Sequence, residues 1–216
     1  MFKNILLVLI AIFSIIYIFE IGIASSPFII LFKLIPMILI IILAITTKPV
    51  HQKSYFLLIV VGLIFCAIGD YTLQWFIVGL SFFLIGHLFY ISAFITAKKQ
   101  RSPKIVLIIL LIFGIIVASI IVGGLINDGE MILAGAVLLY ISIILTMGWT
   151  AWGTNNLYAI LGSCLFILSD TVLAINKFTM DVPFSGQIIM ITYYGAQLLF
   201  ALSISKYSVF RNKVIQ

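Results

Sequence analysis

From Ile105 to Asn127 the chain carries no formal charge. A bilayer's hydrocarbon core is about 30 Å thick, and a helix rising 1.5 Å per residue crosses it in about 20 residues. Similar apolar runs recur along the sequence. They are too long and continuous for barrel strands, and in lipid every backbone N–H and C=O must be satisfied within the protein, so helices are expected. The spacing predicts spans at 4–22, 27–46, 55–73, 76–97, 104–124, 130–149, 157–176 and 186–205. Of the 216 residues, 64% are hydrophobic and 8% charged, against about 45–50% and about 25% in soluble domains. That balance argues against soluble enzymes, secreted disulfide scaffolds and nucleic-acid binders. An all-α polytopic membrane protein is expected, with residues 1–216 forming a single embedded domain.

The charges orient the spans. With both termini cytoplasmic, that side receives Lys3, Lys48, Lys53, Lys98, Lys99, Arg101, Lys104, Lys206, Arg211 and Lys213, and the opposite side only Lys177 beside Glu20, Asp128, Glu130 and Asp181. This positive-inside bias requires an even number of helices, in agreement with eight. The net charge of +6 then faces anionic headgroups and not nucleic acid. Lys3, the apolar run after it and the small residues Ala24, Ser25 and Ser26 resemble a signal peptide, but the run is long for one, so the first span is read as retained. A bacterial inner membrane is favoured over the endoplasmic reticulum.

Lys33, Asp70, Asp170 and His87 remain inside spans. An ionisable side chain at this depth costs at least about 2.5–3.5 kcal/mol on insertion scales, so it calls for a partner or a task. By span position all four fall in the outer half or near the midplane, where one polar pocket could hold them. Asp70 follows Gly69 and Asp170 follows Ser169, one hundred positions apart in helices of the same direction, suggesting a 4+4 parallel repeat. Gly62, Gly69, Gly79, Gly86, Gly123, Gly124, Gly135, Gly148 and Gly162 are candidate close-approach positions. Tyr90, Tyr140, Ser169, Tyr193, Tyr194 and Gln197 are candidate cavity-lining groups. Cys66 and Cys164 lie within apolar spans and read as packing residues. Only His51 and His87 are histidines, and no His/Cys/carboxylate set has metal-ligand spacing, so no metal or cofactor is expected.

Five segments in order resemble the lysoplasmalogenase, or YhhN-like, family of integral membrane proteins. They are Lys33-Leu34-Ile35-Pro36, Gly69-Asp70, Gly79 to Phe94 with His87 and Tyr90, Leu168 to Ala174 with Asp170, and Thr192 to Leu199 with Tyr193, Tyr194 and Gln197. Gly195 stands where relatives commonly have Ala. The resemblance covers about residues 30–205. It implies hydrolysis of the vinyl-ether bond of lysoplasmalogens to a fatty aldehyde and glycerophosphoethanolamine or glycerophosphocholine, with Asp70 and Asp170 as the catalytic pair. Lys33, His87, Tyr90, Ser169, Tyr193, Tyr194 and Gln197 would bind a lysophospholipid drawn from the bilayer.

Such chemistry suits two acids. Protonating the β-carbon of a vinyl ether creates an oxocarbenium ion that water captures, so one carboxyl must begin protonated while an ionised partner stabilises the cation. Two acids in different surroundings can divide those roles, as paired carboxylates do in glycosidases. A proton-coupled carrier using the same acids and a non-catalytic lipid-binding protein are the competing readings. Against the carrier, the spans lack the interruptions of broken-helix transporters.

Overall fold

The computed structural model describes residues 2–20, 28–47 and 53–209, with side chains through Ser205. Among them are eight helices and no strand: α1 (Phe2–Ile18), α2 (Ile29–Thr46), α3 (Lys53–Thr72), α4 (Phe76–Thr96), α5 (Lys104–Asn127), α6 (Met131–Gly153), α7 (Leu157–Phe178) and α8 (Ser185–Val209). All but α1 are at least 18 residues long and apolar enough to cross a membrane. The chain is an integral, multi-pass membrane protein. Of the sequence features noted above, Ala24, Ser25, Ser26, Lys48, His51, Arg211 and Lys213 lie outside the described residues.

Local chemistry sets the helix boundaries. Gly129, at φ +79°, closes α5 in a Schellman turn in which Glu130 N–H donates to the Leu125 carbonyl and Gly129 N–H to that of Ile126. The Asn156 side chain caps α7 by accepting the Tyr158 N–H at 3.1 Å. Pro36 sits inside α2 without ending it. Its ring removes the donor that the Phe32 carbonyl would receive, and the next carbonyl, that of Lys33, accepts the Tyr194 hydroxyl at 2.7 Å.

Most neighbour relations follow the fourfold offset, the contacts α1–α8, α3–α8 and α5–α7 having no counterpart of comparable extent. Helix α1 packs on α2 as α5 on α6, α2 on α3 as α6 on α7, α3 on α4 as α7 on α8, and α2 on α8 as α6 on α4. Close approach relies on glycine. A Cβ on Gly62 would lie 2.4 Å from the Tyr90 ring, one on Gly69 2.9 Å from Phe83, and one on Gly162 2.8 Å from Phe200. Gly79, Gly86 and Gly148 are similarly crowded. Gly123, Gly124 and Gly135 are not: nothing lies within 4 Å of a Cβ there, which corrects the expectation for these three. They belong to the lipid-facing stretch of α5 and α6, where a small residue has no neighbouring helix to admit.

The apolar interior is split. A large core joins α1–α4 and α6–α8, while Val117, Ile121, Leu125, Ala134 and Val137 form a smaller cluster between α5 and α6. A cavity lies where the two fail to merge.

Candidate active site

Side chains of α2 through α8 line that cavity, whose enclosed part measures about 80 Å³ and whose space together with the open solvent at its mouth measures about 900 Å³. By position along the helices Leu73, Phe76 and Phe178 mark one rim of it, at the end where α3, α5 and α7 finish and α4, α6 and α8 begin. Further along the helices its wall is apolar, made by the buried Ile144, the half-buried Ile141 and Leu145 and the exposed Phe113. Between them is a polar waist of Lys33, Asp70, Tyr140, Ser169, Asp170 and Tyr193. Both intramembrane acids therefore open onto one space.

Their surroundings differ. Asp70 is 5% exposed. Lys33 Nζ lies 3.1 Å from its Oδ1, and the Tyr193 hydroxyl donates to its Oδ2 at 2.6 Å. Lys33 also donates to the Asp70 backbone carbonyl at 3.4 Å. Asp170 is only partly buried and receives the Tyr140 hydroxyl on Oδ2. Among the described residues no cation pairs with it. A charge-assisted contact is worth roughly twice a neutral one, so Asp70 is much the more firmly held. Phe83 supports this side of the waist: it fits against Gly69 and meets the Tyr193 ring edge-on at 5.9 Å between centroids.

The other expected site residues divide into two layers. Ser169 and Tyr193 line the cavity, and Ser169 Oγ donates to the Ile189 carbonyl at 3.0 Å, tying α7 to α8. His87, Tyr90, Tyr194 and Gln197 do not line it, so the expected shared pocket and direct lipid contact meet a different arrangement. His87 is fully buried, with its ring 4.6 Å from that of Phe166 and 5.3 Å from that of Tyr140. Of these two neighbours Tyr140 lines the cavity and Phe166 does not. Neither nitrogen of His87 has a hydrogen-bond partner among the described residues. Tyr90 lies in the groove made by Gly62 and donates to Gln197 Oε1 at 2.6 Å. Tyr194 is spent on the Lys33 carbonyl, where it positions the lysine's helix.

Tyr140 lines the cavity, as its place among the candidate lining groups anticipates, but its bond to Asp170 had no sequence signal. The apolar half of the cavity wall was equally hidden, because its residues match those facing lipid. No cluster of three His, Cys, Asp or Glu side chains suited to a metal occurs among the described residues.

The YhhN family profile matches residues 28–204. Lysoplasmalogenase TMEM86A from Bos taurus is 36% identical over 164 residues, covering 67% of this chain and 64% of that one. Lysoplasmalogenase TMEM86B from Homo sapiens is 36% identical over 145 residues, covering 66% and 61%. A lysoplasmalogenase homolog from Dictyostelium discoideum is 25% identical over 201 residues, covering 74% and 66%. The match thus spans somewhat under two thirds of the mammalian relatives. No solved structure is significantly similar. With the family profile matching from α2 to α8, and relatives above 30% identity over two thirds of the sequence, the chain belongs to the YhhN family.

Proposed function

We propose that this protein hydrolyses the vinyl-ether bond of lysoplasmalogens, with Asp170 as the proton donor and Asp70 as its ionised partner. The relatives' printed names support the substrate class. The observation that carries the division of labour is the unequal pairing at the waist: an ammonium matches Asp70 at 3.1 Å, while Asp170 meets only a phenol.

In this reading the alkenyl chain occupies the apolar part of the cavity and the vinyl ether lies at the waist. Asp170 gives its proton to the β-carbon, and the ether oxygen shares the positive charge that develops at the α-carbon. The Asp70 carboxylate stabilises that oxocarbenium ion. Water adds to the α-carbon and passes one proton to Asp70. As the hemiacetal collapses, its hydroxyl proton moves to the departing glycerol oxygen, leaving an aldehyde and a glycerophospho-alcohol. Return of the proton from Asp70 to Asp170 restores the pair. Tyr140 holds one oxygen of Asp170 and leaves the other for the proton in flight. Lys33, Tyr193 and Ser169 shape the waist, and His87, Tyr90, Tyr194 and Gln197 support it from behind. By the positive-inside bias, the rim faces away from the cytoplasm.

The test is incubation of the detergent-purified protein with a lysoplasmalogen, with fatty aldehyde measured by mass spectrometry. Release by the wild type and its loss in both Asp70→Asn and Asp170→Asn is expected. Full activity in either variant overturns the pair.

A further inference from the structure

We infer that Lys177 and the ring of Phe76 form an anion subsite at the cavity rim that takes the phosphate of a single-chain ether lipid. This rests on the reading above for the ligand's class and adds where its headgroup is held.

Lys177 lies in the last turn of α7, exposed, and its side chain crosses to the neighbouring helix α4. Its Nζ sits 4.7 Å from the centroid of Phe76 and 5.8 Å from that of Phe178. Both rings line the cavity and meet edge-to-face at 5.3 Å. The ammonium is therefore parked on the two aromatic rings that edge the opening. An ammonium held on ring faces keeps its N–H donors available to an anion. Among the described residues no carboxylate is in salt-bridge range of it. The other cation at this end, Lys33, is already matched by Asp70. A phosphate entering the cavity thus meets one uncommitted positive charge, and it is at the rim.

The separation fits the ligand. Asp170 and Lys177 are seven residues apart on α7, hence on one face and about 10 Å apart along the axis. In a lysoplasmalogen seven bonds link the β-carbon of the vinyl ether to phosphorus, an extended reach of about 8 Å at backbone-like bond geometry. A lipid with its β-carbon at Asp170 brings its phosphate under the ammonium without leaving the cavity. Two simpler roles compete: favourable interaction with the C-terminal dipole of α7, and contact with the headgroups of surrounding phospholipids. Neither requires the side chain to lean over α4, and neither depends on what occupies the cavity.

Binding and turnover separate these roles. The probes are a 1-O-alkyl lysophosphatidylethanolamine, whose saturated ether cannot be cleaved by this route, and the corresponding phosphate-free 1-O-alkylglycerol. Lys177→Gln is expected to weaken binding of the first by roughly tenfold, the equivalent of about 1.4 kcal/mol, and to leave the second unchanged. Lys177→Arg restores the phosphate-dependent part. On lysoplasmalogen the Gln variant raises KM and leaves kcat near wild type. Equal weakening of both probes, or no change in either, overturns the subsite, and the second result is the one bulk-headgroup contact gives. Phosphate-dependent binding by a wild type that releases no aldehyde keeps the subsite and refutes the hydrolase reading. Aldehyde release with phosphate-independent binding does the reverse.

Discussion

Asp70 and Asp170 occupy matching places in helices of the same direction, yet they are held in opposite ways. Asp70 is locked between the Lys33 ammonium and the Tyr193 hydroxyl. Asp170 hangs from the single hydroxyl of Tyr140. A fourfold-offset architecture supplies two equivalent acids; the side chains that reach them from α2, α6 and α8 make them unequal. Catalysis that needs one acid and one base requires that inequality, and a fully symmetric waist would not provide it.

Removing each acid is the sharpest way to break the comparison. Asp170→Asn should lower aldehyde release by about 10³-fold or more, in the range of a lost general acid. Thermal unfolding in detergent should move little, since the amide oxygen still accepts from Tyr140. Asp70→Asn should lose activity comparably and stability as well. It strands a lysine ammonium, and opening a buried pair from one side costs about 3–5 kcal/mol. Lys33→Met added to Asp70→Asn should recover most of that stability and none of the activity. Equal melting temperatures for the two Asn variants would erase the distinction drawn here.

The tyrosines refine it. Tyr140→Phe leaves Asp170 without its hydrogen-bond donor and should reduce kcat by about 10–100-fold, the equivalent of about 1.4–2.7 kcal/mol. Tyr193→Phe leaves Asp70 still paired with Lys33, and the loss should be smaller. A larger effect at Tyr193 would reverse the ranking of the two acids. The least effect is expected at His87. His87→Phe removes a buried ring whose nitrogens find no partner among the described residues, and exchanging an unsatisfied polar group for an apolar one of similar shape is close to neutral. Activity should stay within about threefold, the equivalent of about 0.7 kcal/mol. A hundredfold loss would show that His87 acts on the waist through Tyr140.

How legible this was depends on whether a feature is written along one helix or between two. The eight helices follow from local apolar length, seven of them long enough to cross a membrane, and α2 to α8 begin and end within about four residues of expectation. Lys33, Asp70 and Asp170 stood out because charge in lipid is costly wherever it falls. Partner choice was not legible. That Lys33 serves Asp70, that Tyr140 reaches Asp170, and that Phe166 and Tyr140 pack on His87 depend on how each helix is rotated about its axis. In a membrane bundle the packed face and the lipid face are both apolar, so periodicity does not fix that rotation. Contacts such as Tyr90 against Gly62 do. For the same reason Gly123, Gly124 and Gly135 looked like packing sites, although α5 turns the first two and α6 the third to open space.

The split between the two apolar clusters bears on how the products of the proposed cleavage would part. Ile141 and Leu145 line the cavity and also a second groove between α5 and α6, which continues past Gly114 and Trp149. Under the hydrolysis proposed above, an aldehyde freed at the waist would face the Ile141–Leu145 wall that separates the cavity from this groove, while the glycerophospho fragment would lie toward Phe76 and Phe178. Were that wall to part, two exits of opposite character would let each product drain down its own solubility gradient, and neither would have to back out past the other.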